Sequence, residues 1–320
     1  MITEPSVDIL LATFNGGSYL QAQLDSLLRQ TYRQWNIVIR DDGSQDKTLG
    51  IIRSFKARFP DKVTLLEDRR ENHGATANFS QLLAHSTAEY VMFCDQDDIW
   101  LPHKMKVTIE TMLALEERHG RDMPLLVHAD VKVVDSGLGE IAPSLWQYQR
   151  SDPVSGTRLQ RLLLQNVATG CTIMINKSLR DRALPIPDAA IMHDWWLALV
   201  AAAFGHIGHL SEPVLLYRQH EKSDIGAKSW NLTVALRQLT DPHQLSLSLT
   251  EGKKVTLRLQ RQADAFLRQY EGMLHDEVRR MIDLYSRLSE MNYITRRYYM
   301  IKYGFFYADL LRNVGRLLIA

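Results

Sequence analysis

The chain has 320 residues, 45% of them hydrophobic and 23% charged, which suits one large domain or a domain with an appendage. A net charge of +1 argues against a nucleic-acid partner. The two cysteines, Cys94 and Cys171, lie in apolar runs and resemble buried free thiols. No secretory signal and no run of ~18 apolar residues is visible. The sequence therefore predicts a cytoplasmic protein, free or bound to a membrane surface.

Strand-like and helix-like segments alternate along the first hundred residues. Apolar runs typical of strands span 7–15, 35–44, 63–68 and 90–98. Apolar residues at helical spacing fill the intervals, at 19–30, 47–59 and 75–86. This alternation predicts an α/β fold, with a mostly parallel central sheet and helices on both faces.

The second half of the chain has a different pattern. Strand-like runs at 124–135, 171–176 and 213–220 and a helix-like run at 193–205 are more mixed. Beyond residue 228 no strand-like run follows, and apolar residues recur every three or four positions from 253 to 291. We predict an α/β domain over 1–225 and a helical C-terminal region over 226–320.

Polar clusters stand at the ends of several predicted strands. They are Thr13–Asn15, Asp41–Asp42, Asp95–Asp98 and Arg218–His220. Ligands of open parallel sheets bind beyond the carboxyl ends of the strands, so these clusters are expected to converge on one site. Neither a G-x-G-x-x-G nor a G-x-x-x-x-G-K-[ST] motif is present, which argues against a dinucleotide site and a P-loop.

The "DQDD" run has residue types suited to holding a divalent cation and a diphosphate. Mg²⁺ prefers one or two carboxylates together with phosphate oxygens. Alternation along an extended backbone puts Asp95 and Asp97 on the same side, where a dication would relieve their repulsion. Asp98 has an alternative interpretation as a helix N-cap before Pro102. Likewise, "DDGS" at 41–44 taken alone is compatible with a simple turn.

Five motifs in order resemble family 2 glycosyltransferases, which have the GT-A fold. They are "LLATFNGGSYLQAQLDSLLRQTYRQWNIVIRDDGSQDKT", "ENHGATANF", "DQDDIWLPHKM", "NVATGCTIMIN" and "HDWW". Within the family, "DQDDIWLP", "TGCT", "HDWWLA" and "YRQH" together resemble the bacterial rhamnosyltransferase branch. The resemblance covers roughly residues 6–226. It implies an inverting transfer that uses a nucleotide-sugar donor and Mg²⁺ or Mn²⁺.

The resemblance assigns the nucleotide-binding residues by position. Phe14 would stack on the base, with Thr13 and Asn15 beside it. Asp42 would accept a hydrogen bond from the pyrimidine ring, and Asn72 of "ENHGATANF" would belong to the same donor site.

The resemblance also assigns the reacting end of the donor. Asp97 would hold the metal, with His220 as a second ligand, and Asp95 would lie near the ribose or sugar. Asp194 of "HDWW" matches the catalytic base, and Arg218 would lie near the diphosphate. From the residues alone, Asp194 could instead favour the positive end of its helix. The family commonly has Gly and Asn soon after "YRQH", whereas this chain reads "EKSDIG".

The function implied is transfer of L-rhamnose from dTDP-L-rhamnose to a lipopolysaccharide or other cell-surface polysaccharide intermediate. One alternative is a family 2 enzyme that uses a UDP-linked sugar. Another is a nucleotidyltransferase, although "FNGGSYLQ" lacks the basic residue expected in its first loop. The last is a catalytically silent assembly partner, against which the intact Asp97 and Asp194 argue.

Segment 293–320 contains five lysine or arginine residues, one acidic residue and many aromatic residues. Basic and aromatic residues at helical spacing predict a helix lying in an anionic membrane interface. The protein would then be peripheral on the inner face of the cell membrane, where its saccharide acceptor is lipid-linked. In the alternative, this face packs on the catalytic domain or on another subunit of a homo-oligomer.

Overall fold

The computed structural model describes residues 4–67, 72–220, 242–306 and 313, without the side chains of 242–249. The chain divides into two compact units. The first, here the sheet unit, comprises Met1–Leu145, Ala168–Ile186 and Met192–Ala227. The second, here the helical unit, comprises Trp146–Val167, Pro187–Ile191 and Lys228–Ala320. The predicted division at residue 225 stays a prediction.

The sheet unit is built on nine strands. They are β1 (Val7–Thr13), β2 (Trp35–Asp41), β3 (Val63–Leu66), β4 (Tyr90–Cys94), β5 (Ile99–Trp100), β6 (Leu125–Val134), β7 (Glu140–Ala142), β8 (Met174–Asn176) and β9 (His206–Arg218). Their order is β3-β2-β1-β4-β8-β6-β9-β5, and β7 pairs with β6. The predicted α/β class is confirmed.

The direction of the strands changes across the sheet. Strands β3, β2, β1 and β4 run parallel, as their alternation with helices predicted. Strand β8 then runs antiparallel to both β4 and β6. Strands β6 and β9 are parallel, whereas β5 is antiparallel to β9. The sheet is therefore parallel in its first half and mixed in its second half.

The central strands are buried on both faces of the sheet. All five residues of β4 are buried, and Ile9, Leu10 and Leu11 of β1 have no exposed surface. Parallel strands covered by helices on both sides read as continuous apolar runs rather than as alternating ones. That is why "YVMFC" carries no polar residue until the strand ends.

Helices alternate with the strands along the chain. Those of the sheet unit are α1 (Leu20–Leu28), α2 (Thr48–Arg58), α3 (Ala75–His85), α4 (Lys104–His119), α7 (Lys177–Ala183) and α8 (His193–Phe204). Helices α5 (Leu145–Gln149), apart from Leu145, and α6 (Leu159–Leu162) belong to the helical unit. Helix α4 was not among the predicted elements. Its buried Met105, Ile109 and Met112 recur at helical spacing, so the signal was present in the sequence.

In the described range 242–306, the helical unit contains three α-helices. They are α9 (Pro242–Tyr270), α10 (Asp276–Ser286) and α11 (Tyr293–Tyr303). The apolar repeat from 253 to 291 forms the packed pair α9 and α10. Helix α11 ends at Gly304, whose φ of 69° is left-handed and favours glycine. Within the described residues, no helix is long and apolar enough to cross a membrane.

Candidate active site

Strand β4 delivers the four-residue acidic run to the edge of the sheet. The chain leaves the buried Cys94 and turns through Asp95 and Asp97, which are partly exposed, to Asp98, which is 1% exposed. Asp98 Oδ1 accepts a hydrogen bond of 3.1 Å from the backbone N–H of Arg218. Asp98 thus ties the acidic run to the end of β9. It is not the helix cap that we considered, because α4 begins at Lys104 with His103 at its N-cap position.

Crowding and burial keep protons on these acids more readily than in water. Burial, reinforced by the negative charges of Asp98 and Asp97, raises the pKa of Asp95 well above its usual value. Burial and the neighbouring Asp97 raise the pKa of Asp98 to about 7. Closely spaced acids of this kind favour the binding of a cation, whose charge offsets their mutual repulsion.

A buried lysine that sequence reasoning missed lies beside this acidic group. Lys104 has no exposed surface, its Nζ lies 3.2 Å from the centre of the Trp100 ring, and it donates to the carbonyl oxygen of Cys171. Burial lowers the pKa of Lys104 to about 8, opposed by the nearby Asp95 and Asp98. In the sequence, Lys104 is only the first residue of an amphipathic helix. Its burial could not be recognised there, because it depends on neighbours from distant segments.

Two groups of residues could be considered as metal ligands. Ligand atoms of Asp95, Asp98 and Cys171 lie within 4.8 Å of one another. A thiol, however, is a poor ligand for the hard cations Mg²⁺ and Mn²⁺, which favour oxygen. The second group, Asp97 and His220, has Oδ2 and Nε2 2.8 Å apart. This distance is that of a hydrogen bond between the two side chains. It is also close to the ~3 Å between adjacent ligands of an octahedral dication, so the pair is compatible with the predicted metal.

The end of β9 is packed against the first loop of the chain. The ring of His220 stacks on that of Tyr19, with 4.8 Å between centroids, and the guanidinium of Arg218 lies 4.7 Å from the centre of the same ring. Tyr19 was not predicted as a site residue. This contact orients His220 towards Asp97.

Arg218 is 6% exposed and holds the backbone around the acidic run. Its Nε donates to the carbonyl oxygen of Asp97 at 2.7 Å, and its Nη1 donates to that of Ser136 at 2.6 Å. Arg218 therefore lies beside the acidic run, and its predicted place near the diphosphate stays a prediction. The "EKSDIG" segment that follows lies outside the described residues.

The residues at the end of β1 are those predicted to bind the nucleobase of the donor. Thr13 is 1% exposed, and its hydroxyl donates to Asp41 Oδ1 at 2.8 Å. Phe14 is 42% exposed, while its backbone N–H and carbonyl pair with the side-chain amide of Gln96 at 2.9 and 3.0 Å. Asn15 Oδ1 accepts from the N–H of Gln45 at 2.9 Å. Gln96 thus fixes the Phe14 backbone and leaves the ring exposed.

Asp42 organises the loop that contains Asn72. It is 2% exposed, and its carboxylate accepts hydrogen bonds from Arg40 Nη1 at 3.0 Å and from the N–H of Gly74 at 2.8 Å. The N–H of His73 donates to it as well, at 3.1 Å. Asn72 is exposed, and its Oδ1 accepts from the N–H of Gly74 at 3.1 Å. These contacts hold the loop that contains Asn72 against Asp42 at the end of β2, and the shared role of the two residues in a donor site stays a prediction.

Asp194 lies in the first turn of α8 and keeps part of its side chain accessible. Its Oδ1 accepts from the N–H of Trp195 at 2.6 Å, and its Oδ2 accepts from the N–H of Gly170 at 2.9 Å. Burial nevertheless raises the pKa of Asp194 to about 7. Its charge also contributes to the raised pKa of Asp95. A partly exposed carboxylate with a pKa near neutrality suits a general base.

The tryptophan at position 196 is a packing residue. Trp196 has no exposed surface, and its Nε1 donates to the carbonyl oxygen of Ala183 at 3.1 Å. Trp195, by contrast, is partly exposed beside the base.

Comparison with known families identifies the class of protein. Residues 8–180 match the family "Glycosyl transferase family 2", and the chain belongs to that family. This confirms the family that the motif order predicted.

Two relatives illustrate which glycosyltransferases have a similar sequence. The chain is 28% identical over 228 residues to the dTDP-rhamnosyl transferase RfbG of Shigella flexneri, covering 68% of this chain and 74% of that protein. It is 29% identical over 119 residues to the putative glycosyltransferase EpsE of Bacillus subtilis, covering 37% of this chain and 41% of that one.

Solved structures support the GT-A fold. S. aureus TarS 1–349 in complex with UDP-GlcNAc superposes with a TM-score of 0.56 at 16% identity, covering 89% of this chain and 73% of that one. The mannosyltransferase PcManGT of Pyrobaculum calidifontis, in complex with GDP-Man and Mn²⁺, gives a TM-score of 0.53 at 18% identity, with coverages of 95% and 87%. At such identities the likeness concerns the fold alone.

Proposed function

We propose that this protein is an inverting, metal-dependent glycosyltransferase that moves L-rhamnose from dTDP-L-rhamnose onto a lipopolysaccharide or other cell-surface polysaccharide intermediate. The observation that carries the reaction is Asp194: a partly exposed carboxylate with a pKa of about 7 that is held by two backbone N–H groups near the acidic run. The choice of sugar is supported by the 28% identity to a protein named a dTDP-rhamnosyl transferase.

In this proposal Asp194 takes the proton of the acceptor hydroxyl while the hydroxyl oxygen forms a bond to the anomeric carbon. The bond between that carbon and the diphosphate breaks, and the nucleoside diphosphate departs with its electron pair. Asp97 and His220 would hold the dication, which when bound neutralises charge on the departing diphosphate. Phe14 presents its exposed ring to the nucleobase of the donor, and Asp95 lies towards the sugar of the donor.

The reaction class is tested by measuring donor turnover in Asp194→Asn and Asp97→Ala. Each is expected to lose ~10²–10⁴-fold in rate, because one removes the base and the other a ligand of the cation. Asp61→Asn is the matched control, since Asp61 is an exposed aspartate between α2 and β3. Rates close to those of the unaltered protein in both variants would refute the proposal.

The donor is tested separately, with a panel of dTDP-L-rhamnose and several UDP- and GDP-linked sugars at equal concentration. We expect turnover with dTDP-L-rhamnose to exceed that with each other donor at least tenfold. The mass added to the acceptor identifies the sugar transferred. Preference for a UDP-linked sugar would support the alternative donor and leave the reaction class standing.

We also propose that helix α11 contacts an anionic membrane surface. Ile294, Tyr298 and Ile301 are 79%, 57% and 66% exposed and follow one another at helical spacing. Arg297 lies over the Tyr293 ring, and Lys302 is exposed on the same helix.

Exposed apolar residues beside cations are complementary to anionic lipid headgroups. Such contact would bring the enzyme to a lipid-linked acceptor on the inner face of the membrane. The remainder of segment 293–320 beyond 306, apart from 313, lies outside the described residues.

A further inference from the structure

A single helical turn precedes β8 and carries the "TGCT" motif. Gly170–Thr172 form a 3-10 helix, in which the N–H of Thr172 donates to the carbonyl oxygen of Thr169 at 2.9 Å. The hydroxyl of Thr172 donates to the same oxygen at 2.7 Å. On the next residue, the carbonyl oxygen of Cys171 accepts from the buried Lys104. Hydrogen bonds within the turn and one from Lys104 of α4 therefore fix its conformation.

Gly170, the first residue of this turn, is in contact with Asp194. Its N–H donates to Asp194 Oδ2 at 2.9 Å across 24 positions of sequence. The other carboxylate oxygen is bound by the N–H of Trp195 at 2.6 Å. Two backbone groups from separate segments thus hold both oxygens and fix the plane of the carboxylate.

The space around Gly170 leaves little room for a side chain. A Cβ at this position would lie 3.2 Å from His193 Nε2 and 3.3 Å from Asp194 Oδ2, closer than most carbon contacts. The backbone of Gly170 is not left-handed, so an added methyl group would meet this crowding and no backbone strain.

The imidazole of His193 cannot easily give way. It is 2% exposed, and its ring lies 4.0 Å from that of Phe79 and 5.0 Å from that of Phe93, centre to centre. An added methyl group at residue 170 would therefore push mainly against the carboxylate of Asp194, which is partly exposed.

We propose that Gly170 is a positioning residue for the transfer reaction, because its N–H and its lack of a side chain set where the carboxylate of Asp194 meets the acceptor hydroxyl. This inference rests on the proposed role of Asp194 as base. A displacement of a few tenths of an ångström matters, because proton transfer needs hydrogen-bond geometry and small misplacements of reacting groups lower rates strongly.

The N–H of Gly170 also favours the ionised form of Asp194. Two titratable groups adjoin that carboxylate: His193, which is next to it in α8, and Asp95, which lies at the end of β4. Burial lowers the pKa of His193 to about 3, so this ring is neutral through the working range. Weakening the hydrogen bond from the Gly170 N–H therefore raises the pKa of Asp194.

The test compares Gly170→Ala with Gly50→Ala in the full chain. Gly50 lies in α2 with nothing within 4 Å of an added Cβ, so its substitution controls for the loss of a glycine. For Gly170→Ala we expect kcat to fall ~10–100-fold, as for other small displacements of reacting groups. We expect the donor KM to be unchanged and the acid limb of the pH profile to move to higher pH. Gly50→Ala should behave as the unaltered protein.

A second comparison separates positioning from a general structural effect. If Gly170 acts through Asp194, Gly170→Ala should reduce the residual rate of Asp194→Asn much less than it reduces that of the unaltered protein. An unchanged kcat and pH profile in Gly170→Ala, or a raised donor KM with unchanged kcat, would overturn the inference. Activity retained in Asp194→Asn would instead overturn the proposed base.

If Gly170→Ala fails to fold, a second substitution that removes the imidazole of His193 keeps the inference testable. In Gly170→Ala/His193→Ala the 3.2 Å contact with the ring is removed, so the added methyl group is tolerated more easily, while the 3.3 Å contact with Asp194 Oδ2 remains. Measured against His193→Ala alone, the double variant should still lose kcat, but less than Gly170→Ala loses against the unaltered protein, because the ring no longer confines the methyl group. Equal rates in the two would contradict the inference.

Discussion

Asp194 illustrates how a residue can be identified from sequence while its chemistry depends on the fold. The "HDWW" motif located it, but its two hydrogen bonds come from Gly170 and Trp195, of which one is 24 positions away. Its pKa of about 7 follows from burial. No local pattern contains that burial, because it is created by the packing of α8 against other elements.

The raised pKa makes stability depend on pH in a defined direction. Between its ordinary value of 3.8 and about 7, the folded protein keeps the proton of Asp194 more than the unfolded chain does. Stability contributed at this site therefore falls as pH rises through that window. We expect Asp194→Asn to raise Tm, and to raise it more at pH 8 than at pH 5.

Thermal melts of both proteins at the two pH values check this, with Asp61→Asn as the control. A gain in Tm that is equal at pH 5 and pH 8 would contradict a buried, ionisable Asp194. We also expect kcat/KM for the acceptor to fall below about pH 7, because Asp194 must be ionised to act as the proposed base.

At the scale of elements, the α/β alternation predicted strands β1 to β4 and the helices between them, but not the two-residue strand β5. The long strand β9 extends seven residues before the predicted start at 213, because it pairs with β6 through two register shifts. Pairing of that kind depends on a partner strand 80 positions away, and a local apolar pattern does not contain it. The same reason explains why the reversed direction of β8 was not anticipated.

Helix α11 carries the prediction that belongs to this scale. We expect Ile294→Asn/Tyr298→Ser/Ile301→Asn to reduce co-sedimentation with phosphatidylglycerol vesicles at least fivefold, because the substitutions remove the exposed apolar surface. All three side chains are exposed, so folding should be preserved. Binding to neutral phosphatidylcholine vesicles should be weak for both proteins, since headgroup charge contributes to the attraction.

Val255→Asn/Leu257→Asn is the matched control, because these residues are 51% and 49% exposed on α9. Undiminished binding by the α11 variant would refute the membrane contact. A change of mass in solution on substitution in α11 would show that this face binds a second copy of the chain.

At the scale of the whole molecule, ligand binding should be visible as stabilisation. A ligand that binds only the folded protein adds ~2.7 kcal/mol at one hundred times its Kd. We expect dTDP with Mn²⁺ to raise Tm more than dTDP alone, because the pair Asp97 and His220 has the spacing of two metal ligands. Asp97→Ala should lose the Mn²⁺-dependent part and keep the part due to dTDP.

This measurement does not depend on turnover and so separates metal binding from catalysis. A full Mn²⁺-dependent shift in Asp97→Ala would contradict the proposed ligand. The shift would then be sought in variants of Asp95, whose carboxylate lies with Asp98 and Cys171.

The sequence by itself determined the class of this protein. Helical and strand periodicities are local properties, and acids placed directly after buried strands must emerge at one edge of the sheet. The family's motif order therefore sufficed to name Asp97, Asp194 and the other predicted site residues.

Only the tertiary structure decided how those residues are held. It brought Lys104 into contact with Cys171 near the acids, Tyr19 against His220, and Gly170 against Asp194. Contacts between distant segments, and the burial that shifts a pKa, arise from packing of the whole sheet unit. They are consequently invisible to any pattern confined to neighbouring residues.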